Sequence, residues 1–160
     1  AQTYPETVKK MLQSGHVIGN HSLSHKFHKY FIDISFAKEV EANQKILKDL
    51  TGKTAALYRS PWLFRHPLLF KTLKKNNLQP VSGTFCYSLE VFQPSAEKIA
   101  KHALKNAKPG SIIIFHDGIE AKGGDRRQTA NAVKIVVDTL IDDGYEFVTV
   151  DKLLKVPAYR

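Results

Sequence analysis

The chain has 160 residues, 42% hydrophobic and 24% charged, a composition that suits one globular domain with a real core. No apolar run approaches the ~20 residues of a membrane-spanning helix, and the single cysteine, Cys86, excludes an internal disulfide and a cysteine-based zinc site. Lys and Arg outnumber Asp and Glu by 24 to 15, so the formal charge of +9 favours an anionic partner, yet no dense basic tract with interleaved aromatics points to nucleic acid.

In chain order, Thr3-Tyr4-Pro5-Glu6 reads as a helix start, with Thr3 as cap, and Gly15 ends that helix. The first residues are polar, and no signal peptide stands at the start of the sequence. Val17 to Asn20 reads as a short strand, followed by a polar, histidine-rich loop. Phe36 to Leu50 has the helical period, with Phe36, Val40, Leu47 and Leu50 on one face, Ser35 as cap and Gly52 as stop. Ala56 to Tyr58 is strand-like, Pro67 opens a helix to about Asn76, and Pro80 to Tyr87 is extended. Ser95 caps a helix carrying Ile99, Ala103 and Leu104. Ser111 to Phe115 is apolar after its first residue and so predicts a strand buried on both faces. Thr129 to Asp143 predicts a helix whose stripe is Val133, Val136, Val137, Leu140 and Ile141, and Glu146 to Val150 predicts the last strand.

Strand and helix alternation of this kind implies an α/β fold with a parallel sheet. About five strands are visible, fewer than an eight-stranded barrel needs, so the sequence fits a partial barrel or an open sheet. Repeats, linkers and low-complexity stretches are absent, which predicts a single domain over residues 1–160.

Three polar segments each follow a predicted strand: His21-Ser22-Leu23-Ser24-His25, Arg59-Ser60-Pro61-Trp62 and His116-Asp117-Gly118. In a parallel α/β fold the strand ends form one rim, where active sites are built. His21 and His25 lie four apart, a spacing that in a helical turn puts both imidazoles on one face to grip a divalent metal. Surface histidines are the competing explanation. His28 is a spare ligand or a solvated loop residue, while His16, His66 and His102 read as structural or exposed. His116 is either a core histidine held by backbone hydrogen bonds or a general acid. Arg59 either orients a carboxylate or forms a surface ion pair, and Trp62 either stacks on a sugar ring or covers the core.

Together these segments resemble a known family. Gly15 to His25 resembles the metal-binding H-S/T-x-x-H segment of NodB-homology polysaccharide deacetylases, carbohydrate esterase family 4. Tyr58-Arg59-Ser60-Pro61-Trp62 is similar to that family's R-x-P-Y segment, and Ile112 to Asp117 to its L-x-L-H segment. Gly124-Asp125-Arg126-Arg127-Gln128-Thr129 resembles its G-D-R-x-Q-T stretch. Order and spacing also fit, over essentially the whole chain.

The resemblance implies a distorted (β/α) barrel, incomplete at the N-terminus, because the T-F-D-D motif that supplies the base and a third metal ligand is not in this sequence. It implies metal-dependent removal of acetyl groups from an acetylated polysaccharide or oligosaccharide, peptidoglycan or chitin-like, by a secreted or cell-surface protein. His21 and His25 would bind a divalent ion, zinc first, and His116 would protonate the leaving amine. Arg59 would hold the catalytic base, and Trp62, Pro61 and Asp117 would contact substrate. A missing N-terminal fragment of the same protein is the implied partner. The family's aspartate-tryptophan segment is absent too, and Glu90 is the only carboxylate near that place. The alternatives are a catalytically inactive glycan-binding relative and a basic surface protein that binds anionic polymer.

Overall fold

The computed structural model describes residues 1–31, 33–118 and 124–160. They form two compact units: residues 1–82 with 149–160, and residues 83–148.

The first unit contains helices α1 (Pro5–Gln13), α2 (Asp33–Thr51), α3 (Pro67–Lys75) and α6 (Val150–Leu154), and strands β1 (Leu57–Tyr58) and β2 (Gln79–Pro80). Pro5 opens α1 from Tyr4, with no side-chain cap, so Thr3 does not have the role its sequence suggests. α2 begins two residues before Ser35, which therefore lies inside the helix and does not cap it. Of the face the period predicts, Phe36, Val40 and Leu47 are buried, while Leu50 is only partly buried. Phe36 and Val40 pack with Tyr58, Leu69, Leu73 and Leu78 into one core, where each large side chain contributes about 1.5–3 kcal/mol. His66 caps α3, its Nδ1 accepting from Leu69 N at 3.3 Å.

β1 and β2 pair in parallel, Leu57 opposite Gln79 and Tyr58 opposite Pro80. The predicted strand at Val17–Asn20 reduces to one parallel bridge, Asn20 to Tyr58. Asn20 N donates to Leu57 O and Arg59 N to Asn20 O, both at 2.9 Å. That bridge starts the histidine loop directly beside the end of β1.

The second unit contains β3 (Thr84–Phe85), α4 (Ala96–Asn106), β4 (Ile113–Ile114) and α5 (Arg127–Asp142). The predicted extended run from Pro80 to Tyr87 thus divides into β2 of one unit and β3 of the other. β3 and β4 are parallel, and Gly83 permits their approach: a Cβ there would lie 2.6 Å from Ile112 O. Only Ile114 of the apolar run 112–115 is fully buried, so this strand is not covered on both faces. α4 and α5 pack through small residues, Ala96, Ala100, Ala103 and Ala132, with Ile99, Val136 and Leu140 filling the seam. The buried stripe of α5 is Ala132, Val136 and Leu140; Ile141, expected in it, is exposed.

Residues 146–149 form no strand among the described residues, and Val150 already begins α6. Their β-forming side chains lack a ladder partner there, and Phe147 and Val148 remain half exposed. Among the described residues, no helix is long and apolar enough to cross a membrane.

Candidate functional site

In the first unit the site grows from Asn20, which is 1% exposed. Its Oδ1 accepts from Ser22 N at 2.9 Å and Asn43 Nδ2 at 3.0 Å. Its Nδ2 donates to Val40 O at 3.0 Å and Gln44 Oε1 at 2.9 Å. All four hydrogen-bonding positions of this buried amide are therefore used, which fixes the start of the loop to α2.

Residues 21–25 are not helical. Ser22 and His25 have φ of 69° and 53°, the left-handed region that costs a non-glycine residue about 1–2 kcal/mol. The i, i+4 face expected from the spacing is thus absent, and the loop's own strained turn sets the histidines instead: their ring centroids lie 5.3 Å apart.

Glu39 of α2 holds that turn. Its Oε2 accepts from Ser24 N and Ser24 Oγ, both at 2.7 Å, and from Ser22 Oγ at 3.4 Å. Lys29 Nζ pairs with its Oε1. Burial pushes the Glu39 carboxyl up, but the hydrogen bonds from Lys29 and Ser24 outweigh it and hold the group below its ordinary value.

His21 Nδ1 lies 2.7 Å from the carbonyl oxygen of Arg59. A carbonyl only accepts, so Nδ1 carries a proton, and in the neutral ring the lone pair is then on Nε2, the tautomer that suits a metal ligand. A divalent ion therefore fits this donor set. Among the described residues, no group of three or more His, Cys, Asp or Glu is placed to hold a metal. Arg59 itself has a buried Nε with no hydrogen-bond partner among the described residues, and burial lowers its pKa. Such a group calls for an acceptor, and a carboxylate suits it best.

Pro61 to Leu63 forms a 3-10 turn in which Pro61 is buried. Trp62 and Leu63 have φ of 53° and 54°. Trp62 is 42% exposed, and its ring centroid lies 4.3 Å from that of His25.

In the second unit His116 follows β4. Its Nδ1–H donates to Glu90 Oε2 at 2.6 Å, and Glu90 is 1% exposed. Thr129 Oγ1 donates to Glu90 Oε1 at 2.5 Å, and Gln93 Nε2 to Thr129 Oγ1 at 2.8 Å. Gln128 Oε1 accepts from Ala96 N at the start of α4, and Arg126 donates to Gly118 O at 2.8 Å. The Gly124–Thr129 motif thus braces the histidine loop. Phe85 stacks on the His116 ring at 5.7 Å, and Asp117 is exposed.

His21, His25, Arg59 and Trp62 therefore share one neighbourhood in the first unit, while His116 and Asp117 belong to the second with Glu90. Sequence reasoning gave no role to Asn20, Glu39 or Glu90. The signal for Glu39 was a carboxylate on the apolar side of an amphipathic helix, beside Val40. For Glu90 it was its being the only carboxylate near the place of the similar family's aspartate-tryptophan segment. His66 is structural as expected, and His16 and His28 are exposed.

Comparison with known proteins agrees with these motifs. The chain is 34% identical over 155 residues to a peptidoglycan-N-acetylglucosamine deacetylase of Bacillus cereus, covering 96% of this chain and 70% of the relative. It is 29% identical over 154 residues to a chitooligosaccharide deacetylase of Azorhizobium caulinodans, covering 91% of this chain and 72% of the relative. A crystal structure of a peptidoglycan N-acetylglucosamine deacetylase superposes with a TM-score of 0.86 at 24% identity, over 100% of this chain and 73% of that one. The fold class expected from the sequence, α/β of the polysaccharide deacetylase type, is therefore the one adopted. The family model for polysaccharide deacetylase matches residues 1–81, and with that match and the 34% identical relative, this chain belongs to the polysaccharide deacetylase family.

Proposed function

We propose that residues 1–160 serve one deacetylase domain that hydrolyses the acetamide of N-acetylated amino sugars in a polysaccharide, peptidoglycan or chitin-like, at or outside the cell surface. The observation that supports this reading is the His21 Nδ1–H bond to the Arg59 carbonyl, which in the neutral ring puts the lone pair on Nε2.

His21 and His25 would hold a divalent ion, zinc first, which supplies Lewis acidity and an acidified water when bound. The chain's own residues do the rest. Arg59 offers its buried Nε to a carboxylate base, which we propose arrives on a further segment of the same protein. His116 keeps its Nδ1 proton on Glu90 and delivers a proton from Nε2 to the departing nitrogen, which must leave as an amine. Glu90 fixes that tautomer and stabilises the imidazolium. Pro61, Trp62 and Asp117 contact the sugar.

The test is acetate release from N-acetylated peptidoglycan and chitooligosaccharide by the protein as the cell makes it, with added zinc. His21→Ala and His25→Ala should each abolish both turnover and stoichiometric zinc binding, while His116→Ala should lose turnover and keep zinc. Glycan binding without acetate release by the unsubstituted, zinc-loaded protein would overturn the enzymatic reading.

A further inference from the structure

The second unit sets three polar side chains in a row behind His116. Glu90 and Thr129 are buried, and Gln93 is partly buried. Gln93 ends the 3-10 turn Glu90–Phe92 with φ of 53°, left-handed backbone that works against stability unless something is gained by it. What is gained is the aim of its amide. Oε1 accepts from Thr129 N at 3.4 Å, one of the N–H groups that the first turn of α5 leaves without a helical partner. Nε2 donates to the Glu90 carbonyl oxygen at 3.0 Å. An N–H only donates and a carbonyl only accepts, so the backbone decides which end of the amide is which.

The direction of the next bond follows. Nε2 also donates to Thr129 Oγ1 at 2.8 Å, so that hydroxyl accepts from Gln93 and has its one hydrogen for Glu90 Oε1 at 2.5 Å. Glu90 then accepts on both oxygens, from Thr129 on Oε1 and from His116 Nδ1 on Oε2. Its carboxylate cannot swing away from the imidazole without giving up the threonine. The bonds run in one sense, from amide to hydroxyl to carboxylate, and such chains strengthen one another in a buried setting.

We propose, resting on the deacetylase reading above, that Thr129, oriented by Gln93, is a positioning residue for proton delivery by His116. Its hydroxyl acts through Glu90 and holds the carboxylate where it keeps one His116 proton on Nδ1 and leaves Nε2 to serve the departing nitrogen. As the C–N bond breaks, its electron pair stays on nitrogen and the Nε2 proton joins it. The products are acetate and a free amine, and His116 is left neutral with its proton on Nδ1. The contribution of Thr129 is therefore confined to substrates whose leaving group needs a proton. An amine needs one, whereas 4-nitrophenolate leaves as the anion.

The test compares two substrates on the protein as the cell makes it, loaded with zinc: fully N-acetylated chitotetraose and 4-nitrophenyl acetate. In Thr129→Val, kcat for acetate release from the tetramer falls about thirtyfold with KM held, while zinc-dependent hydrolysis of the aryl ester stays within about twofold. Thr129→Ser restores the tetramer rate. Gln93→Met keeps the hydroxyl but removes its guide, so it shows the same selectivity with a loss of about threefold, and it decides the matter where the valine variant does not fold. An equal fall on both substrates, or an unchanged tetramer rate in both variants, overturns the proposal. Nitrogen NMR of the His116 ring, assigned by its loss in His116→Gln, needs no turnover: its Nδ1 signal shifts in Thr129→Val and returns in Thr129→Ser, and a signal that stays put overturns the proposal. That shift in a parent that releases no acetate keeps the positioning of His116 and removes the deacetylase reading, so the two failures are distinguishable.

Discussion

The two units differ in charge and in how they hold their histidines. The first carries sixteen Lys and Arg against six Asp and Glu, while the second carries eight against nine. The whole of the chain's basic excess thus belongs to the unit with the proposed metal histidines, and the second unit is close to neutral. The first unit positions His25 through a strained, left-handed loop clamped by Asn20 and Glu39. The second positions His116 at a strand end, against one buried carboxylate. One histidine is set by a left-handed loop plus many polar bonds, and the other by a short pair with one buried carboxylate.

That contrast is broken most severely by Gly83→Ala. Its Cβ would meet Ile112 O at 2.6 Å, and a backbone carbonyl in a ladder has little room to shift. A loss of about 3 kcal/mol or more is expected. Hydrogen exchange should show it in residues 83–148 while α2 and α3 stay protected. Asn20→Ala is the counterpart in the first unit. It leaves Ser22 N and Val40 O without their partner, and about 2–4 kcal/mol should be lost, read as a lowered melting transition and weakened zinc binding.

Glu39→Gln sharpens the comparison with a smaller change. It removes the ionic partner of Lys29 and should cost about 1–2 kcal/mol at neutral pH. The native Glu39 pKa is lowered, so its contribution is present above the ordinary value of 4.5 and is lost as pH falls through the native value. Acid titration of stability should therefore be flatter in the Gln variant than in the parent between neutral pH and about pH 3. A parallel slope in both would show that the loop clamp does not depend on charge.

The smallest effect belongs to Cys86, buried in the second unit. Burial pushes its thiol up to about 11 from an ordinary 9.0. A raised acid pKa favours the folded state below the ordinary value, so stability falls as pH rises from about 9 to 11. Cys86→Ser should flatten that alkaline slope, and the native thiol should resist alkylation at pH 7.5 until the second unit unfolds.

Helices were legible because their signals are local. The stripe of α2, the Ser95 cap of α4 and the Pro67 start of α3 each lie within a few residues of one another. Strands were legible only in part, since pairing is decided by distant partners: β1, β3 and β4 lie inside predicted runs, but Val17–Asn20 came down to one bridge, and residues 146–149 have none among the described residues. The histidines, Arg59 and Trp62 stood out through spacing and family likeness. Their supports did not, because Asn20 and Glu39 act across 15 to 24 residues of sequence. Ile141 was misplaced because an i+4 stripe on alanine and valine is narrower than the apolar run around it.

The contact between Glu90 and Thr129 joins positions 39 apart in sequence. Both belong to one hydrogen-bonded network with Gln93 and His116, so neither side chain can change length alone. Shortening the carboxylate to aspartate at position 90 would pull it away from the hydroxyl at 129 or from the imidazole, and a compensating change at 129 would have to accompany it.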